Sequence, residues 1–405
     1  MIVVAAALMT IGVVMIASTS ASLQHSILRV DFWKTTFGRQ TLYVVAGFLV
    51  MLVCARFGYR LVATQRGSRL LPALLLFLFS LATLAAVLVP GIGVQRNGAR
   101  RWLQFGPAEL GLGFQPSELA KLGLVAFLAV LLGRASERAG QPAGPQPSRR
   151  AGIRGCGRPR LRFGTVLLAA LAIGLCAGLV GIEDFGTAAL IAAVGGFMLF
   201  AAGSRVWQLF LLVLPGLAAF AYLLLAKPYR LERLTAFRNI WADPRGDGYH
   251  AIQSLTTIAS GGWYGRGLGA GVQKYGYLPE SRTDFIFSVI CEEAGFFGAL
   301  VVILMFASFV WLGMTCVRSA TSPVDRLLVL GVTLVVGLQA AMNIAVVTVA
   351  APTKGIALPL VSAGGSGILF LGAAIGLAAS VSSHASGLAS CSQQHSRNAR
   401  WEAVN

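Results

Sequence analysis

The sequence predicts an all-α, polytopic membrane protein of about ten transmembrane helices with one large extracytoplasmic loop. Three observations carry that expectation. Of 405 residues, 56% are hydrophobic and only 12% are charged, whereas a soluble surface usually takes roughly 25%. Mean hydropathy is +0.74. The apolar residues are also gathered into ten runs, most of them near the roughly 20 residues that a helix needs to cross a hydrocarbon core. A soluble enzyme, a disordered hub, a collagen-like fibre and a disulfide-rich module are excluded on composition. An outer-membrane barrel is excluded because its strands alternate.

The runs fall at 1–20, 40–55, 70–89, 117–133, 163–181, 185–202, 206–226, 284–314, 327–350 and 364–382. The first has no basic residue before it, so it reads as a span rather than a cleaved signal peptide. The fourth carries Glu118 and Lys121, and Pro116 suits its first turn, where a missing N–H costs nothing. The fifth and sixth are separated only by Ile182, Glu183 and Asp184, which predicts a tight helical hairpin. No internal repeat is visible, which argues against an inverted-repeat transporter.

Net charge is +18, from 33 Lys+Arg against 15 Asp+Glu. The cations sit between apolar runs, so anionic lipid head groups or a phosphate-bearing substrate fit better than nucleic acid. An even number of spans puts both termini on one side. With that side cytoplasmic, the short inner segments hold 17 Lys+Arg and the short outer ones 7; the long loop 227–283 is set apart because long loops vote poorly. Residues 1–383 then form one ten-helix membrane domain. Within it, 134–162, with eight Arg, is a cytoplasmic basic linker. Residues 384–405 are a polar cytoplasmic tail. The six cysteines have no paired spacing and the four histidines form no ligand motif, so neither a metal site nor a cofactor is expected. A divalent cation travelling with a phosphate-bearing substrate is not readable from sequence.

Three constellations could carry chemistry. The first is Asn97-Gly98-Ala99-Arg100-Arg101-Trp102, followed by Gln115-Pro116-Ser117-Glu118-Leu119-Ala120-Lys121. It reads either as a cationic, amide-rich rim for an anionic head group or as a structural pair. In the second case Glu118 and Lys121, on one helical face at i and i+3, lock two helices, and Trp102 lies in an aromatic belt.

The second constellation is the loop 227–283, which holds Arg233 and Lys274 among eight cations. Its glycines from Gly261 to Gly271 could cradle phosphate through backbone N–H groups, although they match no nucleotide fingerprint. It closes on Thr283-Asp284-Phe285-Ile286-Phe287, with Glu292 and Glu293 about two turns deeper. Either Thr283 or Asp284 caps the helix that follows, or Asp284 is a general base at the water–membrane boundary.

The third comprises Gln339 and Asn343, then Pro352-Thr353-Lys354-Gly355, Leu358-Pro359 and Ser362-Ala363-Gly364-Gly365-Ser366. Gln339 and Asn343, at i and i+4, should hydrogen-bond a neighbouring helix. The Gly- and Pro-rich stretch breaks the backbone, which is tolerated at membrane depth only inside protein or along a wet cavity. Close packing through small residues is the other reading.

In this order these motifs resemble the SEDS (shape, elongation, division and sporulation) family, which includes FtsW, RodA and SpoVE. The resemblance covers nearly the whole chain from the third span onward. Gln273-Lys274 followed by Tyr277-Leu278-Pro279-Glu280 leans towards the FtsW division branch. Arg282, Glu183 and Ala363 stand where the family commonly has His, Pro or Gln, and Tyr; the stretch 103–114 is longer than usual.

The resemblance implies a peptidoglycan glycosyltransferase in cell division. It would polymerise lipid II, a disaccharide-pentapeptide on undecaprenyl pyrophosphate, at the outer face of the cytoplasmic membrane, inverting the anomeric carbon. Asp284 takes the place of the family's catalytic base. Asn97, Arg101, Trp102, Gln115, Ser117, Glu118, Lys121, Arg233, Lys274, Glu292, Ser362 and Ser366 are the expected substrate-binding residues. Expected partners are lipid II and the undecaprenyl-pyrophosphate-linked glycan, a class B penicillin-binding protein, other divisome proteins and membrane lipids. A lipid II flippase or other polytopic transporter is the competing reading, and a non-catalytic scaffold a third.

Overall fold

The computed structural model describes residues 1–21, 35–63, 70–96, 99–104, 113–140, 161–225, 237–246, 248–272 and 277–381. The expected Asn97, Arg233 and Lys274, residues 141–160 of the linker and the tail lie outside the described residues.

The chain forms a helical bundle. Its first three helices are α1 (Ile2–Ala21), α2 (Thr36–Ala63) and α3 (Leu70–Leu88). A small sheet follows: β1 (Gly93–Arg96), β2 (Ala99–Gln104) and β3 (Gly113–Phe114). Next come α4 (Pro116–Gly140), the hairpin α5 (Phe163–Glu183) and α6 (Phe185–Ala201), and α7 (Val206–Leu225). Helix α8 (Tyr249–Gly261) lies inside the large loop, before α9 (Ile286–Ser319) and α10 (Pro323–Val347). We label Gly365–Val381 α11.

Each of the ten apolar runs corresponds to a helix. Among the described residues, seven (α1 to α5, α9 and α10) are long and apolar enough to cross a membrane. Helices α6 and α11 and the first part of α7 are apolar but shorter. Helix α4 starts on Pro116, as expected, and runs on to Gly140. Arg134 and Arg138 therefore belong to its last turns, not to a linker.

Burial ranks the helices. In α4, 72% of the span is buried, and in α10, 67%, against 17% in α2. Helices α4 and α10 pack on each other, with α3 on α4 and α9 on α10, so they form the centre of the bundle. Phe77 and Phe127 stack at 4.9 Å between α3 and α4. The backbones approach where side chains are missing. A Cβ at Gly133 would meet Val324 Cα at 2.6 Å, and one at Gly372 the Gly47 carbonyl at 2.5 Å.

The sheet is an addition to the helical expectation. Its order is β1-β2-β3, antiparallel throughout. Trp102 pairs with Val94 and Leu103 with Phe114. The unusually long stretch 103–114 thus supplies a third strand, and the strands bring Arg101 and Trp102 over the end of the bundle.

The glycine-rich loop completes a broken helix. Helix α9 is broken at Gly295, where φ is 69° and ψ −166°, a combination open essentially to glycine alone. A break in an apolar helix must have its freed groups paired. Arg266 N and Gly267 N donate to the Glu292 and Glu293 carbonyls at 2.9 and 3.0 Å. Phe296 N and Phe297 N donate back to the Gly262 and Trp263 carbonyls at 2.9 and 3.3 Å. The N–H groups of Arg266 and Gly267 thus complete a broken helix and are not available to a phosphate.

Candidate active site

The expected constellations converge at one end of the bundle. The broken stretch 348–364 joins α10 to α11, and its hydrogen bonds tie it to the turn 280–285. Ser362 Oγ donates to the Thr283 carbonyl at 2.6 Å, and Ala363 N to the Arg282 carbonyl at 2.9 Å. Asn343 Nδ2 reaches both the Asp284 and the Ile356 carbonyls at 2.7 Å. Gln339 Nε2 donates to the Ala357 carbonyl at 2.9 Å. Gln339 and Asn343 therefore hold a broken loop by its backbone, and through that loop they fix the position of Asp284.

The capping reading of Asp284 is not what the structure shows. The N-cap position of α9 falls on Phe285, with no side-chain cap. Asp284 stands one residue earlier, in a turn built on Glu280, whose φ is +52°. Glu280 O accepts from Thr283 N and Phe285 N at 3.1 and 3.3 Å. The half-buried Asp284 carboxylate lines an open cleft of about 860 Å³.

Arg101, Trp102, Gln115 and Glu118 line the same cleft. Arg101 is anchored from behind. Its Nε and Nη2 donate to the Glu183 carbonyl at 3.1 and 2.8 Å, and its Nη1 lies 3.5 Å from Asp184 Oδ2. Glu183, one of the departures from the family pattern, also accepts from Arg100 N at 2.9 Å; it fastens β2 to the α5–α6 hairpin. Asp184, the one residue between those helices, caps α6 by accepting from Thr187 N and Thr187 Oγ1 at 3.1 and 2.9 Å.

The remaining expected residues support the cleft or lie away from it. Lys121 is buried, 4% exposed, and donates to Glu118 Oε1 at 2.8 Å and Gln339 Oε1 at 2.7 Å. It joins α4 to α10, as the structural reading of that pair expects, and does not line the cleft. Ser366 Oγ accepts from Gln115 N at 3.1 Å, Ser362 Oγ accepts from Leu358 N at 2.7 Å, and Ser117 is buried at the start of α4. Glu292 is fully buried beneath the glycine-rich loop. It accepts from Val272 N at 2.8 Å, with Arg266 Nη1 at 4.0 Å. Its burial removes it from a substrate path.

Several cleft residues were not expected as site residues. Asp184, Thr187, His250, Lys354 and Gly355 all line it. His250 stacks on Phe285 at 6.0 Å and 8°. Lys354 places its ammonium 4.7 Å from the centre of the Phe185 ring; burial lowers its pKa and Asp184 opposes that shift. A Cβ on Gly355 would lie 2.9 Å from Asp284 Oδ2 and 3.6 Å from Arg101 Nη1, so a bare glycine separates carboxylate from guanidinium. The tight hairpin at Asp184 was legible in the sequence; its role as the cap of α6 comes from the structure, as does the meeting of that hairpin with Lys354.

Fold and site together define a multi-pass membrane protein whose broken helices hold a carboxylate and cations in an open cleft at one end of the bundle. Residues 1–387 match the FtsW/RodA/SpoVE family model, described as cell cycle protein, and the chain belongs to that family. It is 36% identical over 378 residues to "Probable peptidoglycan glycosyltransferase FtsW" of Geobacter sp. (strain M18), covering 93% of this chain and 94% of that one. It is 33% identical over 382 residues to "Stage V sporulation protein E" of Bacillus subtilis (strain 168), covering 94% and 96%. Among solved structures it resembles a chain from "Structural coordination of polymerization and crosslinking by a peptidoglycan synthase complex", with a TM-score of 0.69, 27% identity and coverage of 94% and 96%. It also resembles the rod shape determining protein RodA of Thermus thermophilus, with a TM-score of 0.60, 26% identity and 94% of each chain covered.

Proposed function

We propose that this chain is a peptidoglycan glycosyltransferase of cell division that polymerises lipid II at the outer face of the cytoplasmic membrane. The observation that carries the reading is the Asp284 carboxylate, held by its own backbone in an open cleft and facing Arg101 across Gly355. The sugar acceptor's hydroxyl oxygen bonds to the donor's anomeric carbon, and its proton passes to Asp284. The bond from that carbon to phosphate breaks and its electron pair leaves on the undecaprenyl pyrophosphate. A carboxylate must stand on one side of that carbon and cations on the other. The chemistry calls on no organic cofactor. A class B penicillin-binding protein is the partner proposed to cross-link the strands.

Purified protein given lipid II, with and without its transpeptidase, should yield glycan strands on a gel. Lipid II that only moves between leaflets, with no strands formed, would establish the transporter reading instead.

In the proposed orientation both termini and the α4–α5 connection are cytoplasmic, because the short-loop Lys+Arg bias is 17 to 7. A membrane-impermeant thiol reagent added outside cells should label a cysteine placed at Gly246 and spare the native Cys156. The reverse pattern rejects the orientation and, with it, an outward-facing cleft.

A further inference from the structure

Arg101 and Lys354 reach the cleft from opposite directions. Arg101 comes from β2, and Lys354 from the broken stretch between α10 and α11. Between them stands Asp184, at the head of α6. It touches Arg101 Nη1 at 3.5 Å and attracts Lys354 electrostatically. Among the described residues the Lys354 ammonium makes no ion pair and no side-chain hydrogen bond. What it has is the face of Phe185 at 4.7 Å and the field of Asp184. A half-buried lysine that is attracted but not paired can accept an anion without first breaking a strong contact. Arg101 differs in being held: its Nε and Nη2 are taken by the Glu183 carbonyl, and Nη1 pairs with Asp184 at 3.5 Å beside Gly355.

We propose that Arg101 and Lys354 form the subsite for the lipid diphosphate, with Asp184 as a resident counter-ion that the diphosphate outcompetes. This rests on the lipid-linked donor of the preceding section. Arg101 and Lys354 enter the cleft from different elements, so each can meet one phosphate of a diphosphate, whereas a monophosphate offers a single group to the two cations. The Lys354-Gly355 peptide links the subsite to the base. Because Gly355 carries no side chain, Arg101 and Asp284 stand within one residue's breadth of each other. When the carbon–oxygen bond breaks, the new negative charge on the diphosphate falls on Arg101 and Lys354, while the acceptor's proton goes to Asp284. Arg offers a planar fork and Lys a point charge, the two geometries suited to phosphate oxygens.

The test uses full-length protein in nanodiscs and two probes, undecaprenyl pyrophosphate and undecaprenyl monophosphate. The wild type should prefer the diphosphate. Lys354→Met should weaken diphosphate binding about tenfold, as expected for loss of one charge-assisted contact, and reduce the preference. Lys354→Arg should retain it. Asp184→Asn is the discriminating variant. Asn can still cap α6, and Arg101 keeps its two bonds to Glu183. Removing the counter-ion should therefore tighten diphosphate binding.

If Lys354 and Asp184 are only a structural pair, Asp184→Asn will weaken binding or leave it unchanged, and the proposal fails. It fails equally if Lys354→Met binds both lipids as the wild type does. Lys354→Arg and Asp184→Asn keep the test readable should the Met protein not fold. A wild type that binds diphosphate as described but makes no strands from lipid II rejects the polymerase reading and leaves the subsite standing.

Discussion

Asp284→Asn should give a folded protein that still binds lipid II and its transpeptidase but makes no detectable glycan strands. Asn matches Asp in shape, and Asp284 is held by its backbone carbonyl through Asn343, a contact the substitution leaves in place. Its position before the N-cap of α9 means that no cap is lost. What disappears is the acceptor for the hydroxyl's proton. Removal of a general base costs roughly 100- to 10,000-fold in rate, enough to take strand synthesis below an ordinary gel assay. Binding of lipid II to the variant separates loss of chemistry from loss of the site. A well-folded Asp284→Asn protein that still makes long strands would falsify the base assignment. Glu118, a cleft-lining carboxylate, would then be the next candidate.

Lys121→Met should instead act on stability. Lys121 is 4% exposed and Glu118's side chain 15%, and the ammonium holds α4 to α10 through Gln339. Removing one member of a buried ion pair leaves the other uncompensated, at a cost of about 3–5 kcal/mol. The lower end fits best, because Glu118 borders the cleft and keeps some contact with water. The single variant should lose melting temperature in detergent and lose strand synthesis with it. Pairing it with Glu118→Gln should recover much of that stability, since no lone charge then remains. If the single variant melts like the wild type yet cannot bind lipid II, Lys121 meets the substrate and the structural assignment is wrong.

The two carboxylates Asp284 and Glu292 show how far sequence reasoning reached. Both lie at the start of one apolar run, both are near cations, and spacing alone does not separate them. The structure does, because the break at Gly295 and the loop N–H groups of Arg266, Gly267 and Val272 enclose Glu292. Asp284 sits before the helix begins and faces the cleft. The same limit applies to the cations. Arg101 and Lys121 were equal candidates as a rim. A lysine three residues after a glutamate on a buried helix face turns inward to pair, whereas an arginine on a strand over the bundle end faces the cleft.

By itself the sequence determined the membrane class, the helical runs, the hairpin at Asp184 and the family, because these depend on composition, on local periodicity and on motifs written in consecutive residues. Tertiary structure alone decided which polar residues meet. Lys354 and Arg101 are 253 positions apart and share a cleft only because a broken loop, a three-stranded sheet and a helix N-terminus converge there. Contacts of that kind depend on how helices pack, and helix packing leaves no mark in the local pattern of any one segment.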